Sequence, residues 1–307
     1  MPSRTHAATL IAEGRFDEAF KELNALSHEQ PEPPGVERMR GFIYYQLSEL
    51  SKAEQVLKHA LSQDSQDVES AQLLGTTLFR LGRSRDAIPI LEAIHASRSN
   101  EPGDPNYILS LCYMDADRYD DARERIAADY GLQADSPSAH LLTARLLLRR
   151  EYVLAAGDEA SKALALNPTL PLAHELLGEV QLAQSNISAA IVSFKEERAV
   201  NPLYGGSYER LGDAYFRAGE YELSRQSLNQ AVLLEPNTTG PYILLGKVFL
   251  QQRNPVMAIQ YLKRASHMDP SNYITHLLLG QAYHASGHTQ DASREIHMME
   301  QLRFTSH

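Results

Sequence analysis

Glu209–Pro236 reads ERLGDAYFRAGEYELSRQSLNQAVLLEP, and Ile243–Pro270 reads ILLGKVFLQQRNPVMAIQYLKRASHMDP. The second stretch begins 34 residues after the first. Few residues are identical. Yet Leu-Gly, an aromatic, paired apolar positions and a closing proline fall in step. A fixed skeleton under changing side chains marks a repeat whose constant positions pack and whose variable positions face outward.

The same ruler extends in both directions. Leu-Gly stands at Leu177-Gly178, Leu211-Gly212, Leu245-Gly246 and Leu279-Gly280, always 34 apart. Pro168, Pro202, Pro236 and Pro270 keep that step. Backward, the frame meets Leu74-Gly75, then Gly41 and Ala7. From Gly75 to the matching Ser110 the step is 35, which places one inserted residue near SRSNEPGDPN, and Ala144 restores the frame. Twelve residues after each of these sites stand Ala19, Ala53, Ala87, Ala122, Ala156, Ala190, Ser224, Ala258 and Ala292. Four residues later stand Leu23, Leu57, Leu91, Ile126, Ala160, Phe194, Leu228, Leu262 and Ile296. The expected units are 1–33, 34–67, 68–102, 103–136, 137–170, 171–204, 205–238, 239–272 and 273–306, a single array with irregular joints near 99–106 and 130–137.

Within each half-unit the apolar residues recur at helical spacing, so each unit predicts two amphipathic helices. Glycine or polar pairs, as in RAGEY and HASGH, separate them. Small residues let two helix backbones approach while large ones fill the space beside them. The Asn-Pro, Glu-Pro or Asp-Pro step ends the second helix. One such hairpin cannot bury its apolar face alone and must stack on its neighbours.

These units resemble the tetratricopeptide repeat, a 34-residue helix–turn–helix, over about residues 1–306. The resemblance implies an all-α fold, a right-handed superhelical solenoid of stacked hairpins. It also implies a concave groove lined by the first helix of each repeat. Counting the small site as position 8, the groove falls at positions 5, 9, 12 and 13. Early repeats supply Arg38, Phe42, Tyr45, Phe79, Arg80 and Tyr107, with Leu111 and Met114 beside them. The fifth supplies Arg145 and Arg149; the sixth and seventh supply Glu175, Glu179, Glu209, Asp213 and Arg217; the eighth supplies Lys247. Across all nine units these positions carry seven basic and five acidic residues, whereas the chain carries a net charge of −10. Aromatic side chains interleaved with arginine suit an extended or helical peptide bearing apolar anchors and carboxylates. The family's clamp for chaperone tails needs lysine, asparagine and arginine at set positions. No three consecutive repeats supply them, because position 6 reads Thr5, Met39, Leu73, Ile108, Leu142, Leu176, Arg210, Leu244 and Leu278.

Composition narrows the alternatives. The chain has 307 residues and 43% hydrophobic content, with no run near the ~18–20 apolar residues of a membrane span. The start shows no apolar leader, so a cytoplasmic location is expected. Cys112 is the only cysteine, which rules out an internal disulfide and paired-thiolate metal sites. The acidic balance argues against nucleic acid and anionic membranes as partners.

Catalytic and metal patterns are incomplete. HELLGE at His174 has Gly178 where a zinc protease carries its second histidine. DADRYDD, Asp115 to Asp121, lacks the glycine and glutamate of a calcium loop. His284 and His288 straddle Gly287, and Glu175, Glu179, Glu209 and Asp213 stack carboxylates, but neither set has a full ligand pattern. The expectation is therefore a non-enzymatic interaction scaffold with no cofactor, no catalytic residue and no metal site. Its partner would be a protein or peptide. The other reading is a regulatory or targeting arm of a larger enzyme or of a secretion or assembly machine.

Overall fold

The computed structural model describes residues 3–28, 32–98 and 105–305. Among them there are eighteen α-helices and no strand. The fold is an all-α helical repeat solenoid. Two compact units are distinguished, Met1–Thr143 and Ala144–His307, and the division falls within α9.

The first unit holds the hairpins α1 (Arg4–Ala12) with α2 (Phe16–Leu26), α3 (Val36–Gln46) with α4 (Leu50–Gln63), α5 (Val68–Arg80) with α6 (Ser84–Arg98), and α7 (Asn106–Asp115) with α8 (Tyr119–Asp129). Next comes α9 (Pro137–Arg149). The second unit continues with α10 (Val153–Leu166) and then the hairpins α11 (Ala173–Ala183) with α12 (Ile187–Val200) and α13 (Gly205–Arg217) with α14 (Tyr221–Leu234). It ends with α15 (Thr239–Gln251) with α16 (Pro255–Met268) and α17 (Tyr273–Ala285) with α18 (Thr289–Thr305). Within each unit, successive first helices touch: α1 on α3 on α5 on α7, and α11 on α13 on α15 on α17. Among the described residues no successive second helices make comparable contact, so the first-helix surface is the tighter side of each stack.

The 34-residue skeleton has a direct steric cause. A Cβ placed on Gly178 would stand 2.5 Å from Phe194 Cε1, and one on Gly41 would stand 2.6 Å from Leu57 Cγ. Gly75 meets Leu91, Gly212 meets Leu228, Gly246 meets Leu262 and Gly280 meets Ile296 in the same way. The large residue of the second helix therefore lies flat on the bare backbone of the first. Leu57, Leu91, Phe194, Leu228 and Leu262 are all fully buried there.

The hairpin turns share a second rule. Gly14, Ser48, Gly82, Asp117, Glu151, Ser185, Gly219, Arg253 and Gly287 all have positive φ, between 56° and 82°. Each lies seven residues after the small site. The next N–H then reaches back to the carbonyl five residues before it, as in Glu220 to Tyr215 at 2.9 Å and Asn254 to Phe249 at 2.8 Å. This Schellman arrangement satisfies carbonyls left open at the helix end. Only four of the nine turn residues are glycine.

The joints between repeats carry a third rule. Asn167, Asn201, Glu235 and Asp269 leave the helical region, with φ between −131° and −145° and ψ between 70° and 95°, as a following proline favours. The proline carbonyl is then held by a side chain six residues on. Tyr208 and Tyr242 hydroxyls reach Pro202 and Pro236 at 3.1 Å, and His174 and His276 Nε2 reach Pro168 and Pro270 at 2.9 Å. In the first unit, α8 ends at Asp129 and Gly131 takes φ 63°, with Arg123 bonded to the Ala134 carbonyl at 3.0 Å. The other expected joint, near 99–106, lies largely outside the described residues.

Candidate functional site

In the first unit the face made by α1, α3 and α5 holds a groove of about 450 Å³. Ile11, Met39 and Leu73 form its apolar lining, and the Phe42 ring stands 37% exposed beside them. Phe42 lies one turn after Arg38, so helical spacing puts both on this face. Arg38 Nη1 reaches Asp67 Oδ1 at 2.8 Å and Glu69 Oε2 at 2.7 Å, which ties α3 to the start of α5. Burial opposes ionisation of Asp67. Hydrogen bonds from Ser70 and Arg38 outweigh it and hold the carboxyl below its ordinary range.

Farther along, the Arg80 guanidinium lies over the Tyr45 ring, 4.6 Å from its centroid. It also donates to the Tyr45 carbonyl at 3.2 Å and to Ser48 Oγ at 3.1 Å. Tyr45 and Arg80 thus form one unit, a cation on an aromatic face. Phe79 is half-buried and Tyr107 is 55% exposed. Leu111 and Met114 are buried and offer no surface.

In the second unit, Arg145 is half-buried and Arg149 exposed. Among the described residues neither has a hydrogen-bonded or ion-pair partner. Lys247 on α15 is half-buried and equally without an ion pair. The carboxylates behave differently. Arg210 Nη2 grips Glu179 Oε1 at 2.7 Å, and Arg217 Nε donates to Asp213 Oδ2 at 2.8 Å. Glu175 is only 5% exposed, and its Oε2 is buried with no hydrogen bond. Burial pushes its carboxyl up to about 7, Glu179 and Glu197 add to the rise, and Arg210 and Arg145 oppose it. Burial pushes Glu209 up as well, against the pull of Arg210. Of the four acidic residues on α11 and α13, two are therefore ion-paired with arginine and two have their carboxyls pushed up by burial.

Sequence reasoning missed the partners that do this. Arg210 sits in a column otherwise almost entirely apolar, and Asp67 and Glu69 lie outside the groove positions. Residues of the motifs that suggested chemistry make contacts within the fold. His174 tethers Pro168, Arg118 Nε pairs with Asp121 Oδ2 at 2.6 Å, and Ser84 donates to Asp115 Oδ2 at 2.5 Å. His288 Nδ1 lies 2.9 Å from Ser286 Oγ.

A stack of helix hairpins with a side-chain-lined first-helix face defines a helical repeat protein. The chain belongs to the tetratricopeptide repeat family. One family model of that description matches residues 10–77 and 249–301, and a second matches 175–241. Among solved structures, MamA residues 41-end from Desulfovibrio magneticus RS-1 is similar at 18% identity and a TM-score of 0.51, over 56% of this chain and 97% of that one. A crystal structure of MamA protein is similar at 18% identity and a TM-score of 0.50, over 55% and 93%. YrrB, a TPR protein with an unusual peptide-binding site, is similar at 18% identity with a TM-score of 0.47, over 55% and 87%. At these identities the likeness is one of fold. No curated protein matches the chain in sequence.

Proposed function

We propose that this protein is a non-enzymatic scaffold that binds a peptide or partner segment along its first-helix face. The observation that carries this reading is the groove of α1, α3 and α5. An aromatic ring stands exposed there over an apolar lining, with Arg38 and Glu69 at its edge. Such a surface seats an apolar anchor, and the polar edge orients the backbone beside it. The α9 arginines support a second seat. Among the described residues Arg145 and Arg149 form no ion pair or hydrogen bond within the chain, and a guanidinium bonds a carboxylate bidentately. Glu179 and Asp213 are already paired with arginines and burial opposes ionisation of Glu175 and Glu209, which favours the arginines over these carboxylates as the charged seat. The predominant contribution is therefore assigned to Phe42 and to the two arginines. Among the described residues no helix is long and apolar enough to cross a membrane.

A random peptide library displayed on phage, selected on the full chain, tests this. Selected peptides should carry bulky apolar residues or acidic residues, and calorimetry should show weaker binding to Phe42→Ala or to the Arg145→Glu, Arg149→Glu double variant. Removing one partner of a desolvated charge pair loses roughly 2–5 kcal/mol. Salt should weaken the complex only in part, because apolar contacts are not screened. Peptides that bind both variants like the wild type would move the working surface off this face.

A further inference from the structure

Three residues of the first unit converge where no motif announced a site. Glu32 lies in the segment before α3, Glu37 in the first turn of α3, and His59 in α4. One donor atom from each lies within 4.8 Å of the other two. Glu37 Oε2 and His59 Nδ1 are 3.7 Å apart, beyond hydrogen-bonding distance. The Glu37 side chain is only 6% exposed. Glu32 Oε1 is buried and accepts no hydrogen bond.

Glu37 is already paired with Arg40 through Oε1, yet its Oε2 and Glu32 Oε1 remain open acceptors side by side. The remaining oxygens are already taken, which fixes the direction of the free ones. Gln63 Nε2 donates to Glu32 Oε2 at 2.7 Å, and Arg40 Nη1 donates to Glu37 Oε1 at 2.6 Å. Arg40 is itself held by Asn24 Oδ1 at 2.7 Å and Ser27 Oγ at 2.8 Å, so it cannot swing across to Glu32 without breaking that network. Outer hydrogen bonds of this kind are how proteins set ligand orientation around an ion.

We propose that Glu32, Glu37 and His59 bind a divalent transition-metal ion of the zinc class. The donor set selects it. One imidazole and two carboxylates suit zinc, and three protein donors leave a fourth position for water. Calcium and magnesium take six or more oxygens and gain little from an imidazole. Donors about 2.0 Å from a tetrahedral ion stand roughly 3.3 Å from one another, so the Glu37–His59 spacing needs to close by only a few tenths of an ångström. The bound ion would pin the segment leading into α3 to both helices of the second hairpin. Arg38 follows Glu37 directly, so the ion also braces the start of the helix that presents Phe42.

The test is zinc titration by calorimetry and cobalt(II) absorption on the full chain. Wild type should take up one ion per chain at this site and give the intense visible bands of tetrahedral cobalt. His59→Ala should weaken binding at least ~10-fold and change those bands. The imidazole is 58% exposed, so its removal leaves the fold intact. Glu37→Gln should act alike, with helical circular dichroism confirming that the buried amide is tolerated. His284→Ala, His288→Ala should bind like wild type, which separates this site from the histidine-rich C-terminal repeat. Absence of saturable zinc binding, or equal binding and spectra for wild type and His59→Ala, overturns the proposal whatever Glu37→Gln does.

Discussion

The contact between Gly178 and Phe194 allows a quantitative test of the repeat skeleton. A methyl group on residue 178 would stand 2.5 Å from Phe194 Cε1 and 2.8 Å from Cδ1 and Cζ. Phe194 is fully buried, so its ring has no open space to enter. Overpacking of this kind costs roughly 1–3 kcal/mol. Alanine returns about 1 kcal/mol of helix propensity. Gly178→Ala should therefore destabilise by up to roughly 2 kcal/mol. Phe194→Ala alone should cost roughly 3–5 kcal/mol through lost burial and a residual cavity. In the double variant the clash is gone while the propensity gain remains. Its cost should fall about 1 kcal/mol below that of Phe194→Ala, giving a coupling of roughly 1–3 kcal/mol, the size of the relieved clash. Urea unfolding followed by circular dichroism measures all three, provided the slopes agree with wild type. Additive losses would show that the glycine and the ring are not partners, and the steric account of the skeleton would fail.

The turns and the buried carboxylate yield two more tests. Glu151 holds φ 66° against a left-handed penalty of ~1–2 kcal/mol, so Glu151→Gly should stabilise by up to about 1 kcal/mol. Gly219→Ala, at φ 78° with open space around it, should lose ~1 kcal/mol in the same urea assay, and equal effects at the two sites would contradict this. Glu175 keeps its proton in the folded chain between about 4.5 and about 7, where the unfolded chain has released it, so stability should fall as pH rises through that window. Glu175→Gln should flatten the profile and gain roughly 1–3 kcal/mol at pH 8, after allowance for screening, with little change at pH 4; Glu209 acts in the same direction, and a parallel profile for the variant would refute the assignment.

The fold was legible because packing constrains it at every repeat. A helix cannot pass over another at close range without a small residue, and that requirement recurs at 41, 75, 178, 212, 246 and 280. The turns were only half legible. Glycine announces Gly14, Gly82, Gly219 and Gly287, but Ser48, Asp117, Ser185 and Arg253 take the same conformation without the residue that signals it. The tethers to the proline carbonyls were hidden because tyrosine and histidine serve alike, needing only a donor at the right height. The state of the site residues was less legible still. Ion pairs such as Arg210–Glu179 depend on where long side chains settle, and periodicity carries no information about that. Glu32, Glu37 and His59 share no repeat position, so only the folded chain brings them together.

Departures from the skeleton show which positions the fold needs. Alanine replaces glycine at Ala144, and the matching large residue shrinks to Ala160, both fully buried. Gln181 interrupts an apolar column, and Ser193 donates to its Oε1 at 2.8 Å. Ser224 takes an alanine position, and its hydroxyl is absorbed by the Gly212 carbonyl at 2.7 Å. A buried polar group without such a partner would be expensive, so each exception carries its own compensation. Phe42 has none of this logic. It fills no packing position in the 34-residue pattern, and its ring is left 37% exposed beside the groove of α1, α3 and α5. A polar residue would serve the hairpin as well and would not leave apolar area in water. Lone exposed apolar residues are ordinary, but one set over an apolar groove with a charged edge is the kind that marks a binding surface. That contrast between compensated interior exceptions and an uncompensated exposed aromatic is why the binding assignment rests first on α3.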